Sequence, residues 1–492
     1  MYDKTLIATR GELVPRVIKV LEERGKSAVT IYSQEEPDAL QRKLAKSPHK
    51  AVCIGSHTNY ANARAILNVA TQEGADAIYL GYGFLSEIPE FIEECENKGF
   101  ETFSSPPKVM ELWKNRLTAK KMAERYGLKN VPGSDKVIRY ASDVKDLMEE
   151  HGPIILKSSV GGGGKVTRVI REFEENEVSK ILDNLISREK EYFGSENYNV
   201  CAEKVLLDPS PAHLEIQLVA DEHGNYRRVG KGRDCSSQRD FQKILEEEPS
   251  QKVSIEQFED ISKKVIEAAK NTGLTGLSTF EILYWKGKPY FNEVNTRIQV
   301  EHGITEEVTG INLLETQMRV GSGEKIPWSQ EEIDRNTRGH AIECRILSED
   351  MIKRRGYPGR ITVFRKPETP NTRLDTAIYE SCVVPQCFDS KIANLIVKEK
   401  DRRGAIEHMK QALENVVIRG ENESGEEMHF SMPFHREFLE TSEFVNGDYD
   451  TRTVETLIKN QEFVDKVRKR EDDLKKLHNL LLSASSYLDF TG

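Results

Sequence analysis

The run Glu293-Val294-Asn295-Thr296-Arg297-Ile298-Gln299-Val300-Glu301-His302 carries more information than any other stretch of the 492-residue chain. Just ahead of it, Thr279-Phe280-Glu281-Ile282-Leu283-Tyr284 reads as a strand, Lys286-Gly287-Lys288-Pro289 as a turn, and Tyr290 to Asn295 as the returning strand of a hairpin. From there the odd positions Glu293, Asn295, Arg297, Gln299 and Glu301 are polar, while Val294, Ile298 and Val300 are apolar. In an extended chain of period two the odd side chains project from one face, and Glu281 on the neighbouring strand points into the same space. Glu281, Glu293 and Asn295 then offer a hard oxygen site suited to Mg2+ or Mn2+ bound together with phosphate oxygens. The plainer reading is a solvated face of an amphipathic strand, although such a face does not require acids, amides and an arginine gathered beside one tight hairpin.

Upstream, the apolar strand Ile154-Ile155-Leu156 delivers Lys157 and is followed by Gly161 to Gly164 and Lys165. Backbone amides of such a loop can approach a polyphosphate while the lysines supply charge. The spacing matches neither the Walker pattern nor GxGxxG, and a plain flexible turn reads equally well. A basic constellation runs from Arg233-Asp234-Cys235-Ser236 through Gln238-Arg239 to Lys243, with Glu343-Cys344-Arg345 further on. Cations from separate segments could clamp a small anion, although each alone reads as a surface ion pair. His213, in the alternating run Ala212 to Gln217, is by itself a structural histidine. Tyr82, in Gly81-Tyr82-Gly83-Phe84-Leu85-Ser86-Glu87, sits on a loop of the kind that lines ligand crevices in open α/β sheets.

Strand-like runs at Thr5 to Ala8, Ser27 to Tyr32, Ala51 to Ile54 and Asp76 to Leu80 alternate with amphipathic segments such as Leu13 to Glu23 and Asn59 to Gln72. That rhythm predicts a parallel, doubly wound sheet, within an α/β chain that is α+β overall. A second unit starts near Trp113, with a glycine signal at Gly273 to Gly276, and a third near Gly339. Gly420 to Glu427 reads as a mobile acidic loop, and the segment from Thr451 as helix with Leu474, Leu477, Leu480 and Leu481 on one side. Lys plus Arg number 71 against 81 Asp plus Glu, a net charge of −10, which argues against nucleic acid as a main partner. No apolar run approaches a membrane span and the first residues lack a signal-peptide layout, so the expected location is cytoplasmic. The seven cysteines form no CxxC and suit a reduced compartment.

Taken in order, several segments resemble the biotin carboxylase component of biotin-dependent carboxylases, within the ATP-grasp group. They are Ala8-Thr9-Arg10-Gly11-Glu12, the Gly81 to Glu87 run, Gly161 to Gly164, His213 to Gln217, Arg233 to Ser236 with Gln238-Arg239, Glu293 to His302, Gly339 to Arg345 and Phe388-Asp389-Ser390. The resemblance implies a Rossmann-like N-terminal lobe over 1–112, and an ATP-grasp domain over 113–335 with a mobile lid at about 131–205. A mixed C-terminal lobe over 336–448 and a helical tail over 449–492 would follow. It implies an ATP- and bicarbonate-dependent ligase that carboxylates biotin on a separate carrier protein by way of carboxyphosphate.

By motif position, Arg116, Lys157, Gly163, Gly164, Glu203, Lys204, Leu206, His213, Glu281 and Glu293 would hold ATP. Glu281, Glu293 and Asn295 would hold two Mg2+ or Mn2+ ions. Lys243, Arg297, Gln299, Val300, Arg345 and Tyr82 would surround bicarbonate and biotin, with Glu301 as the base and Lys243, Arg297 and Arg345 acting beside it. The chain departs from the family pattern at Asn115-Arg116, at Lys165-Val166-Thr167, and at Phe241, Gly232, Tyr79-Leu80, Gly303 and Cys387. The implied partners are a second copy of the chain, a biotin carboxyl carrier protein and a carboxyltransferase subunit, with no nucleic acid or membrane. Two alternatives stay open: an ATP-grasp ligase acting on another nucleophile, and a degenerate regulatory subunit of a carboxylase complex.

Overall fold

A four-stranded parallel sheet opens the chain. Its strands are β1 (Lys4–Ile7), β2 (Ser27–Tyr32), β3 (Lys50–Cys53) and β4 (Ala77–Tyr79), in the order β3-β2-β1-β4. The computed structural model describes residues 2–158, 167–193, 200–367 and 369–488. The predicted helix Leu13–Glu23 forms with those bounds and buries Leu13, Val14, Val17, Ile18, Val20 and Leu21 on one face. The helix expected over Asn59 to Gln72 begins later. His57–Ala61 is a 3-10 turn, and the Asn62 side chain accepts from the Ala65 amide to start the helix Ala63–Glu73.

The centre is one nine-stranded sheet. It uses β5 (Lys129–Asn130), then β9 (Ala212–Ala220), β10 (Tyr226–Arg239), β11 (Gln242–Glu248), β12 (Gly276–Trp285), β13 (Lys288–Asn295) and β14 (His340–Leu347). Its order is Thr372–Thr376, Lys391–Glu399, β14, β11, β10, β9, β12, β13, β5. Strands β6 (Ile154–Lys157), β7 (Thr167–Ile170) and β8 (Cys201–Lys204) form a separate small sheet with the order β7-β6-β8. The predicted hairpin is β12 and β13, paired Phe280 to Val294 and Glu281 to Glu293. Strand β12 also pairs with β9, Glu281 opposite Glu215. Gly273 is the left-handed C-cap of the helix Ile255–Thr272, so that glycine signal marks a helix end.

Three expectations are corrected. The extended run does not continue to Glu301: β13 ends at Asn295, the chain bends, and Glu301 is the N-cap of the helix His302–Thr309. The 420–427 segment is a closed hairpin turn, in which Asn422 Oδ1 accepts from the amides of Ser424 and Glu426 and Glu421 bridges Glu427. In the tail helix Gln461–Leu488, Phe463, Val467 and Leu474 join the core of the third unit, while Leu480 is 68% exposed. Six residues carry Leu480 about 240° round the helix from Leu474, off the buried stripe.

Glu247 ties this sheet to the last part of the chain. It accepts from His340 Nε2 at 2.7 Å, Arg402 Nε at 2.7 Å and the Tyr449 hydroxyl at 2.6 Å. Burial pushes its carboxyl up, but His340 and Arg402 outweigh burial and hold it down at about 2. With the folded value depressed, its stabilisation is present above the unfolded value of roughly 4.3 and disappears as pH falls toward 2. We expect the urea midpoint to drop over that window, and to drop less steeply in Glu247→Gln. Equal slopes for both proteins would remove Glu247 from the account.

Candidate active site

Glu301 is the focus of the buried charges. Lys243 Nζ donates to its Oε1 at 2.7 Å and Arg345 donates to its Oε2 at 3.1 Å. Burial alone would push the Glu301 carboxyl up, yet Lys243, Arg345 and Arg233 outweigh it and hold the group well below the usual carboxylate range. Lys243 also donates to Glu281 at 3.1 Å and contacts Glu215. Burial opposes the Lys243 charge, but Glu215, Glu281 and Glu301 hold its ammonium well above its ordinary value. Glu301 is therefore an anion between two fixed cations at neutral pH.

Beneath this cluster lies Arg233, 1% exposed. It donates to Glu215 at 2.9 Å, Gln217 at 3.0 Å, Thr305 and Thr279 at 3.2 Å each, and Gln299 at 2.6 Å. Every arm of the guanidinium is satisfied, which makes it a scaffold and not an anion clamp. Arg239 is held by Glu349 and the Met351 carbonyl oxygen, with its buried Nε left without a partner. Of the predicted basic constellation, Lys243 and Arg345 meet at one carboxylate.

Glu281 and Glu293 sit opposite each other in register, so both carboxylates leave one face of the hairpin. Gln238 donates to His213 Nδ1 at 2.7 Å, and His213 Nε2 lies 2.9 Å from Glu281 Oε2. Asn295 and Gln299 each donate to Glu281 Oε1 at 2.9 Å. Arg116 donates to Glu293 at 2.6 Å. Two carboxylates and the Asn295 amide oxygen are hard donors, and their register gathers them, so this set fits a divalent cation. Glu281 keeps its charge because Lys243 and His213, acting against burial, hold it well below the usual range.

Lys157 donates to Glu203 at 2.6 Å and to Asn292 at 2.9 Å. Glu203 is held down at about 2: burial raises it, and Lys157, Lys120 and Arg116 outweigh that. Lys120, 3.0 Å from Glu203, escapes the sequence reading; its signal is the spacing of four from Arg116 on the helix Arg116–Arg125, which puts both on one face. Asn115 caps that helix, accepting from the amides of Leu117 and Thr118. Lys204, half-buried, ends strand β8 of the small sheet, and Leu206 is buried just beyond it. Gly163 and Gly164 lie outside the described residues.

Tyr82 and Arg297 stand at the edge of the first lobe. The Tyr82 hydroxyl donates to Glu12, which Lys391 also contacts, and Lys391 Nζ lies 3.2 Å from the Tyr82 oxygen. Arg297 donates to Glu87 at 2.7 Å and to Asn295 Oδ1 at 3.2 Å, so its guanidinium is not bonded to Glu301. The Val300 carbonyl accepts from Asn394 at 3.4 Å. Glu12, Glu87 and Lys391 were not singled out from sequence, although Glu12 and Glu87 lie inside the motifs around Arg10 and Tyr82.

This chain is similar to known proteins along most of its length. Residues 1–110 match the biotin carboxylase N-terminal domain, 115–329 the carbamoyl-phosphate synthase L chain ATP binding domain, and 343–456 the biotin carboxylase C-terminal domain. Biotin carboxylase 1 of Bacillus subtilis is 37% identical over 464 residues, 93% of this chain and 99% of that protein. The chain belongs to the biotin carboxylase family. A pyruvate carboxylase subunit of Methanothermobacter thermautotrophicus is 36% identical over 457 residues, 92% of this chain and 90% of that protein. The Campylobacter jejuni biotin carboxylase β-γ-ATP complex superposes with a TM-score of 0.84 at 36% identity, covering 93% of this chain and 99% of that one. The biotin carboxylase domain dimer of Hydrogenobacter thermophilus 2-oxoglutarate carboxylase, solved with MgADP, ADP and bicarbonate, gives 0.85 at 34% identity, covering 93% and 98%.

As a biotin carboxylase the chain is an ATP-dependent ligase of mixed α/β fold with an ATP-grasp core, the first of the three readings set out above. One departure from the family pattern has a local cause. Gly232 has φ +87, and a Cβ there would fall 2.7 Å from the Phe258 ring, so the position has no room for a glutamate. Phe241 also has a positive φ, in the turn between β10 and β11, and is 46% exposed. Among the described residues no helix is long and apolar enough to cross a membrane, and all seven cysteines are free.

Proposed function

We propose that Glu301 is the base that takes the proton of bicarbonate, with Lys243 and Arg345 as the cations that receive the anion. The observation that carries this is a buried carboxylate fixed between those two groups. Bicarbonate entering beside them competes for the same N–H donors. As Lys243 and Arg345 turn toward it, the stabilisation that keeps Glu301 a weak base is withdrawn, and its proton affinity rises when there is a proton to take. The deprotonated bicarbonate then attacks the γ-phosphorus of ATP, ADP leaves, and carboxyphosphate breaks down to phosphate and CO2 beside biotin. The phosphate so released takes the ureido N–H proton, Arg345 stabilises the resulting biotin enolate, and its nitrogen attacks CO2 to form the new C–N bond. Arg297 orders this pocket through Glu87 and Asn295, Gln299 and the Val300 backbone line it, and Tyr82 borders the biotin side.

Arg116, Lys157, Glu203, Lys204, Leu206 and His213 would hold the nucleotide, together with Gly163 and Gly164. Glu281, Glu293 and Asn295 would hold two Mg2+ or Mn2+ ions, which supply positive charge to the phosphate oxygens. The MgADP and bicarbonate in the Hydrogenobacter thermophilus structure support this division. Boundaries near 112 and 335 are supported by the matched ranges 1–110, 115–329 and 343–456, and a lid at about 131–205 by the separate small sheet that carries Lys157 and Glu203, while the third match runs past the proposed boundary at 448. The tail from 449 packs on the third lobe through Phe463, Val467 and Leu474.

Biotin would come from a separate carrier protein and leave to a carboxyltransferase, in the cytoplasm, with the chain working as a homodimer. The naming of the Methanothermobacter protein as one subunit of a pyruvate carboxylase and the dimer of the Hydrogenobacter domain support these partners. We expect ADP release with Mg2+, ATP and bicarbonate to be stimulated by free biotin. ATP use indifferent to biotin would sink the assignment.

A further inference from the structure

Behind Arg345 two more carboxyl groups face each other. Glu246 on β11 is the register partner of Glu343 on β14, which sets their Cβ atoms about 4.5–5.5 Å apart on one face of the sheet. Arg345, two residues beyond Glu343, shares that face and donates through Nε to Glu246 Oε1 at 2.7 Å, while its other arm reaches Glu301. Both oxygens of Glu343 and Oε2 of Glu246 are buried and receive no hydrogen bond. The N-terminus of the helix His302–Thr309 closes the space: a Cβ on Gly303 would stand 3.4 Å from Glu343 Oε2.

Charge arithmetic does not allow all of these groups to ionise. One guanidinium already serves Glu246 and Glu301, and Lys243, on the same strand as Glu246, is spent on Glu215, Glu281 and Glu301. Lys391, on the strand Lys391–Glu399, is spent on Glu12 and Tyr82, and Arg373, whose Nη2 would stand 3.6 Å from the same Cβ on Gly303, is spent on Glu306, Glu307 and Asp375. Two like charges directly opposite in a dry site cannot both persist. We infer that Glu246 and Glu343 form a carboxyl pair that keeps one proton at neutral pH and positions Arg345, the charge of the pair deciding how strongly the guanidinium is drawn toward β11 and away from Glu301. Burial and the Glu246 charge push Glu343 up, against Arg345 and Lys391. Arg345 donates to Glu246 while both Glu343 oxygens lack a donor, so Glu246 is the member that ionises, with burial pushing it up to about 7.

The inference rests on the role given to Arg345 above, and its primary test is independent of that role. Infrared spectra of the full-length protein at pH 8 should show a protonated carboxyl band that disappears in Glu343→Gln, with Glu343→Leu as the comparison if the Gln variant does not fold. Absence of the band in the parent, or its persistence in the variant, overturns the pair. In turnover, kcat should rise through an acid limb near pH 7 that Glu343→Gln leaves within half a unit. Glu246→Gln should abolish that limb and lower kcat at pH 8 at least tenfold, with KM for ATP within twofold. A limb displaced by a unit or more in Glu343→Gln, or retained in Glu246→Gln, also overturns it. Failure of the biotin reading would appear separately, as turnover without biotin stimulation.

Discussion

Glu301→Gln should lower bicarbonate-dependent turnover by about 10²- to 10⁴-fold, the range that a positioned base contributes, with little change in the affinity for ATP. The side chain is hydrogen-bonded to Lys243 and Arg345, and it meets the proposed metal ligands only through Lys243, which also holds Glu281. The amide keeps the shape and loses both the proton acceptor and the negative charge that holds the two cations in place. Titration with nucleotide and steady-state kinetics at saturating ATP separate these effects. A variant that loses nucleotide binding in proportion to turnover would refute the assignment of Glu301 to the bicarbonate side.

Arg233→Leu should be the most damaging single change to stability. It removes five donated hydrogen bonds at a position 1% exposed and leaves Glu215 without its guanidinium partner. Breaking one side of a buried ion pair costs about 3–5 kcal/mol, against a total stability of about 5–15 kcal/mol. Soluble yield should fall sharply, and any folded fraction should unfold at much lower urea. Arg233→Lys should not rescue it, because an ammonium cannot reproduce a planar fork that reaches acceptors on four segments. A folded variant within about 1 kcal/mol of the parent would refute this and would mean that Lys243, already in contact with Glu215, is enough to compensate its charge.

What could be read from sequence was local. The helix Leu13–Glu23 was legible because its apolar residues recur at helical spacing, and the hairpin because Lys286 to Pro289 separates two strand-like runs. The same period-two pattern misled beyond Asn295, since alternation is equally compatible with a chain that bends into a helix. The polar residues still converge, because the bend carries Gln299 back to Glu281 and delivers Glu301 to Lys243. Lys391 and Glu87 escaped because their partners are hundreds of residues away, at Glu12 and Arg297. Arg233 and Arg345 looked alike as sequence, and only the count of satisfied donors distinguishes the scaffold from the cation that reaches Glu301.

The nine-stranded sheet has a mechanical consequence. Glu293, Glu281, Glu215, Arg233, Lys243 and Arg345 occupy β13, β12, β9, β10, β11 and β14, six neighbouring strands in that order. Their mutual spacing is therefore set by the fixed rung of a hydrogen-bonded ladder, about 4.8 Å per strand, and the whole row behaves as a rigid bench. Lys157 and Glu203 are mounted on a different sheet, like a tool on a separate arm. The spacing between Glu293 at one end of the row and Arg345 at the other is therefore held within a single sheet. The ladder does not set the distance between arm and bench, which side-chain bonds such as Lys157 to Asn292 of β13 span instead.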